Sequence, residues 1–322
     1  MVSDISVSDG NPISLTFAAA KKSLILNGDP TKAVNFHDGV SIVLTGLKAS
    51  DITAANDLAT KLATTNAALN ASPLPDGSPQ AFATISGAEI SDTAGNIAKN
   101  LTALSTTKLA DGSLLASKIT ITDKAPMTLS VDKLADSKTT DVLALISNAY
   151  SIKMDPSAKI SVSQALALAA PNKNATIMPY AVTDTPDNLI ASLADVLKLA
   201  SAKSISQFAL TPNADTTVNF TVTKDQLSKA APILALIKGS YGVNLTGLTA
   251  SDAVASAKTA KLQSMALKDS VANLTASLKA LQALSKVKTI VVTDAKPDAT
   301  KLAALKTALP NATFTDSTGK TI

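Results

Sequence analysis

The chain has 322 residues, 46 % of them hydrophobic and 3 % aromatic, with a formal charge of +4, no Cys and no Trp. Disulfides and thiolate chemistry are therefore excluded, and wholesale disorder is unexpected at this apolar content. Arg is also absent, so all 29 cations are Lys, and Glu89 is the only Glu among 25 acids. Recognition of phosphate or nucleic acid usually relies on the bidentate guanidinium fork, so no nucleic-acid partner is expected. No segment reaches the ~18 apolar residues that cross a bilayer, so no membrane span is expected.

At the start, Ile5-Ser6-Val7-Ser8-Asp9 alternates apolar and polar residues, as a half-buried strand should. Gly10-Asn11-Pro12 is turn chemistry, and residues 13–17 alternate again. Leu44-Thr45-Gly46-Leu47-Lys48-Ala49-Ser50-Asp51 then leads into an Ala-rich helix at 52–69. The Pro- and Gly-containing stretch 70–80 reads as an inserted loop, and 82–90 as a strand. Asp92-Thr93-Ala94-Gly95-Asn96-Ile97 follows, with Leu101 and Leu104 continuing one helical face. Asp and Thr ahead of such a face can accept from the free amides of the first turn.

From here the chain repeats itself. Ile119-Thr120-Ile121-Thr122-Asp123 with 124–131 repeats 5–17, so that Phe17 matches Val131. A helical run at 141–146 leads to Tyr150 and a strand at 151–154; a diverged helix at 161–170 precedes a strand at 175–182. Asp184-Thr185-Pro186-Asp187-Asn188-Leu189, with Leu193 and Val196, is the second copy of the capped helix entry. Residues 205–222 form a third strand-turn-strand copy, and 232–237 leads to Tyr241 as 141–146 leads to Tyr150. Residues 245–252 repeat 44–51, followed by a helix at 253–260 and a weaker strand at 262–267. Asp269-Ser270-Val271-Ala272-Asn273-Leu274 is the third capped entry, with Leu278 and Leu281 on its face, and a last strand spans 289–294.

These recurrences predict one elongated repeat domain over 1–322, with units near 5–118, 119–204 and 205–288 and a partial unit at 289–322. Short strand-helix steps imply right-handed crossovers and a largely parallel sheet. The expected fold is α/β, a repetitive strand-helix solenoid of leucine-rich-repeat type; the alternative is three compact α/β repeats in series. The Asn four residues after each Asp either builds a ladder onto backbone or is a tolerated polar residue on the first turn.

No catalytic set is expected. His37 is the only histidine, so a zinc site or triad lacks partners. Gly-rich phosphate loops are missing. Asp9, Asp123 and Asp294 end strands, and Asp92, Asp184 and Asp269 begin helices. Such carboxylates could hold calcium, but turn and cap roles account for each, so no cofactor, metal or cofactor-binding residue is expected.

The combination of Ile-x-Asp-Thr-x-x-Asn-Ile at 90–97, Ile-Thr-Ile-Thr-Asp at 119–123 and Leu-Thr-Gly-Leu-x-Ala-Ser-Asp at 44–51 and 245–252 resembles the degenerate repeats of bacterial type I-secreted cell-surface proteins, both surface-layer and adhesin-like. The resemblance implies extracellular or cell-surface display without a cleaved N-terminal signal. It further implies a non-enzymatic structural or adhesive role, with self-association or other surface components as partners. The alternative is an extracellular binding module for a glycan or protein.

Overall fold

Strand-helix alternation is visible throughout the computed structural model, which describes residues 4–6, 10–23, 35–37, 39–71, 83–212 and 218–322, with backbone only at 4–6 and 35–37. The fold is α/β, and every strand ladder among these residues is parallel. The sheets are separate and small rather than one continuous sheet. The chain divides into two compact units, 1–158 with 168–178, and 159–167 with 179–322.

In the first unit, β1 (Asp4–Ser6) pairs with β3 (Asn35–His37). A four-stranded sheet has the order β2 (Ile13–Thr16), β4 (Ser41–Leu47), β5 (Thr84–Asp92), β6 (Ala116–Ile121). Its strands are joined by α1 (Phe17–Lys22), by α2 (Ile52–Asn70), which follows a 3-10 turn at Ala49–Asp51, and by α3 (Ala94–Thr106). A three-stranded sheet orders β7 (Met127–Leu129), β8 (Tyr150–Met154) and β9 (Ala175–Ile177), with α4 (Val131–Ala135) and α5 (Ser137–Ala144) between β7 and β8.

The second unit starts with α6 (Val162–Ala167). A three-stranded sheet orders β10 (Tyr180–Asp184), β11 (Ile205–Leu210) and β13 (Ile237–Lys238), with α7 (Pro186–Ala191) and α8 (Leu193–Ser201) between the first two. A five-stranded sheet orders β12 (Asn219–Val222), β14 (Gly242–Leu248), β15 (Leu262–Asp269), β16 (Val287–Val292) and β17 (Thr313–Thr315). Its connections are α9 (Lys224–Leu234), α10 (Ala250–Ser256), α11 (Val271–Ala276) with α12 (Leu278–Gln282), and α13 (Ala299–Ala308).

Each sheet buries mainly one face. In β4, Ile42, Leu44 and Leu47 are buried while Ser41, Val43 and Thr45 are half-exposed; in β16, Val287, Ile290 and Val292 are buried while Thr289 and Val291 are not. Parallel sheets are normally covered on both faces. Here period-2 alternation survives because helices such as α2 on β5 and α10 on β15 supply the apolar cover on one side. Fully burying one Leu or Ile stabilises by about 1.5–3 kcal/mol, so the aliphatic rows on the covered face dominate the core.

Several elements differ from the sequence reading. Phe17 and Val131 do not extend strands; each starts a helix, because Thr16 and Ser130 accept from the amides of Ala19 and Lys133 at 3.2 and 3.3 Å. The run at 175–182 is two strands in different sheets, β9 and β10. The strand expected at 262–267 is central in its sheet rather than weak. Residues 7–9, His37's side chain and the expected loop from 72 to 80 lie outside the described residues.

Two kinds of irregularity recur. Gly46 and Gly247 both sit at positive φ, +69° and +67°, and both mark a register shift in the ladder to the next strand. The repeated Leu-Thr-Gly-Leu text therefore encodes a left-handed backbone step that Gly alone takes without strain. In addition, one residue is skipped near the start of five ladders: Ser86, Ser117, Ser206, Gln263 and Lys288. Two of these bulge serines reach the neighbouring strand, Ser86 donating to the carbonyl of Ile42 at 3.4 Å and Ser117 to that of Ala88 at 3.2 Å.

Candidate functional site

The recurrent feature with the most chemistry is the set of aspartates at strand ends. Asp92 closes β5, with Thr93 as the N-cap of α3, its Oγ1 accepting from the Asn96 amide at 3.3 Å. One carboxylate oxygen of Asp92, Oδ1, accepts from the Thr93 amide and from Asn96 Nδ2, both at 2.8 Å. Asp184 and Asp269 repeat this arrangement. Asp184 Oδ1 accepts from Thr185 N and Asn188 Nδ2, and Asp269 Oδ1 from Ser270 N and Asn273 Nδ2, at 2.6 to 2.8 Å. The Asn thus bonds the Asp of its own turn, neither forming a backbone ladder nor standing idle.

The second oxygen does something the sequence did not disclose. Asp92 Oδ2 accepts from the amide of Ala49 at 3.0 Å, the first residue of the helical segment after β4. Asp184 Oδ2 accepts from Val162, the first residue of α6, at 2.8 Å, and Asp269 Oδ2 from Ala250, the first residue of α10, at 2.9 Å. The strand-end aspartates of the next step continue the rule. Asp123 Oδ1 accepts from Ala94 at 2.9 Å and Asp294 Oδ2 from Val271 at 2.6 Å. Five carboxylates therefore each tie a helix N-terminus to the end of a later strand. Such charge-assisted bonds contribute about 1.5–3 kcal/mol each and satisfy a first-turn amide that has no partner inside its helix.

One position breaks the series on both sides at once. Thr122, Thr211 and Thr293 are equivalent, since each donates its amide to the carbonyl of Asp92, Asp184 or Asp269 at 2.9 to 3.0 Å. Asp123 and Asp294 follow the first and third, but Pro212 follows Thr211. The amide that would need that acceptor belongs to the first residue of α7, which is Pro186 and has no N–H. Donor and acceptor are missing together.

Electrostatics agree with a structural role. Burial pushes the carboxyls of Asp92 and Asp269 up, but bonds from Asn96, Ala49 and Thr93 with the nearby Lys48, and from Ala250, Asn273 and Ser270, outweigh it and hold both below the usual carboxylate value. Tyr150 is buried at the start of β8 and its hydroxyl is pushed up to about 12 by burial. Tyr241, its sequence counterpart, is half-exposed, packed edge-on against Phe220 at 5.4 Å with Lys261 over its ring.

Among the described residues no group of three or more His, Cys, Asp or Glu could hold a metal ion, and no helix is long and apolar enough to cross a membrane. A cleft of about 450 Å³ opens between α2, β5 and the turn after α3, with Asn56, Thr60, Asn66, Ser86, Lys108 and Asp111 among its lining residues. Within it Asn66 donates to the carbonyl of Ala83 and Asp111 accepts from Ser113. The uncovered sheet face is a broader polar surface. On the five-stranded sheet it carries the cross-strand rows Thr221-Asn244-Ser264 and Ala266-Thr289-Thr313, with Ser264 bonded to Asn244 at 2.8 Å. Comparison with known proteins finds no matching family model and no matching curated protein.

Proposed function

We propose that this chain is a non-enzymatic structural protein of a cell surface or extracellular matrix, acting by self-assembly or surface coating. The observation that carries this reading is the use made of the recurrent aspartates. All five described members accept backbone amides between successive strand-helix steps, so the most repeated polar chemistry is spent on architecture. In this reading the steps form a repetitive solenoid built for extension. Negative-stain electron microscopy of the purified chain at high concentration, with and without calcium, tests it. Ordered arrays or filaments are expected; a strictly monomeric chain in both conditions would overturn it.

A second reading rests on the uncovered sheet face with its hydroxyl and amide rows, which suits a polar ligand such as a glycan. Glycan-array binding that is lost on Asn244→Leu and Thr289→Val, with unchanged circular dichroism, would favour a binding module. An enzyme would instead reveal itself as hydrolase activity lost on His37→Ala.

A further inference from the structure

The uncovered face of the five-stranded sheet carries lysine without acid. The six acids of 218–322 are all aspartates at strand ends or helix starts. Lys268 lies among them at the end of β15, but the other lysines gather where the strands begin. Lys261 and Lys286 immediately precede β15 and β16, and Lys288 is the skipped residue at the entry to β16. All three are exposed, and among the described residues none forms an ion pair. Lys261 is held over the Tyr241 ring, 3.5 Å from its centroid. The segments leading into β14, β15, β16 and β17 (235–241, 257–261, 283–286 and 309–312) contain Lys238, Lys258, Lys261 and Lys286 and no acid. Four helix C-termini end on these segments with about half a negative charge each. Roughly two charges are thus set against five lysines, Lys288 included, which leaves an excess of about three.

The four-stranded sheet of the first unit handles its charge differently. There Glu89 of β5 faces Lys118 of β6, with Oε1 and Nζ 3.8 Å apart. Asp92 and Asp269 are equivalent strand ends, so the matching pair in the five-stranded sheet is Ala266 and Thr289. The acid is missing, and the neighbouring Lys288 has no ionic partner. Hydrogen-bonding groups surround these cations. Asn219 of β12 and Gln263 of β15 meet over Gly242 of β14, where a Cβ would collide with both side chains. Ser264 donates to Asn244 Oδ1 at 2.8 Å, which leaves the Asn244 Nδ2 group as a donor.

We propose that this face binds an acidic polysaccharide, with its carboxylate or sulfate groups on Lys261, Lys286 and Lys288 and its hydroxyls on the amide and hydroxyl rows. Charge complementarity requires an anion, and strands about 4.8 Å apart present the polar rows to an extended, hydroxyl-rich polymer. A single-stranded nucleic acid would need aromatic platforms, and the one nearby ring, Tyr241, is covered by Lys261. A bilayer surface would need large apolar side chains to insert, whereas the half-exposed apolar positions on these strands are Ala266 and Val291. The inference rests on the binding-module reading above and adds the charge of its ligand.

Biolayer interferometry of the full chain on polygalacturonate, on its methyl ester and on dextran tests it. Wild type is expected to bind polygalacturonate at least tenfold more tightly than the ester, which keeps the rings and loses the charge. Binding should weaken about tenfold between 50 and 500 mM NaCl, since the Debye length shortens from about 14 to about 4 Å. Lys261→Gln/Lys286→Gln/Lys288→Gln should weaken it about tenfold with unchanged circular dichroism. Ala266→Glu, which restores the acid of the first sheet, should also weaken it. The same charge loss elsewhere, Lys99→Gln/Lys124→Gln/Lys173→Gln, should leave it unchanged, and an equal effect of both triple variants would overturn the site. Equal binding of the ester, lost on Asn244→Leu/Thr289→Val, would overturn the acidic ligand and leave a neutral-glycan face standing. Binding to none of the three polymers would overturn the inference, and the reading beneath it falls too if the glycan array is blank. Equally tight, lysine-dependent binding to single-stranded DNA or phosphatidylserine vesicles would overturn polysaccharide as the occupant.

Discussion

Asp92 and Asp269 are each nearly buried, at 3 % and 7 % exposure, and each accepts three hydrogen bonds. An Asn in their place presents an N–H₂ group to a backbone amide, so Asp92→Asn is expected to cost about 1–3 kcal/mol in denaturant unfolding. Their lowered folded pKa values fix the sign of the pH response. The stabilisation is fully present above the unfolded carboxyl value near 4 and is lost as pH falls through the lower folded value. Thermal midpoints should therefore be flat from neutral pH to about 5 and drop below about 4. The drop should be shallower in Asp92→Asn/Asp269→Asn, and an unchanged acid slope would show that these carboxyls do not carry it. The paired prolines allow a further test. Pro212→Asp alone has no amide to accept, whereas with Pro186→Ala it gains one. A double-mutant cycle is expected to give a favourable coupling of about 0.5–1.5 kcal/mol.

Strand-helix steps succeed or fail at their ends. Gly46 and Gly247 take a left-handed backbone with open space around the missing side chain, so Gly46→Ala meets no clash and pays only conformational strain of about 1 kcal/mol. Lys203 is in the same region at φ +56° after α8, and Lys203→Gly should relieve it, raising stability by a few tenths to about 1 kcal/mol. Chemical denaturation of both variants checks the opposite signs. These local devices were largely legible from the sequence: Thr93, Thr185 and Ser270 cap the helices they precede, and alternation located most strands. Non-local ones were not. The bond from Ala49 to Asp92 spans 43 residues, and no spacing rule connects them. The skipped residues Ser86 and Lys288 shift the strand phase without any composition signal, because a bulge is defined by its partner strand. The stretch 175–182, expected as one strand, is two, β9 ending at Ile177 and β10 starting at Tyr180 just after Pro179, and pairing partners assign them to different sheets.

The molecule as a whole consists of two compact units, each with its own sheets and apolar rows. Such a chain should depart from two-state melting. Calorimetry is expected to show a calorimetric enthalpy exceeding the van't Hoff value, with Asp92→Asn moving one transition and Asp269→Asn the other. A single two-state transition shifted by both would show that the units unfold as one. The linked absence of a proton on Pro186 and a carboxylate after Thr211 also reaches beyond this chain. A tie made of one donor and one acceptor is worthless by halves, so changes at 186 and 212 should travel as a couple through descent. Among natural variants, an acid at 212 should accompany a non-proline at 186, and a proline at either site should relax selection on the other.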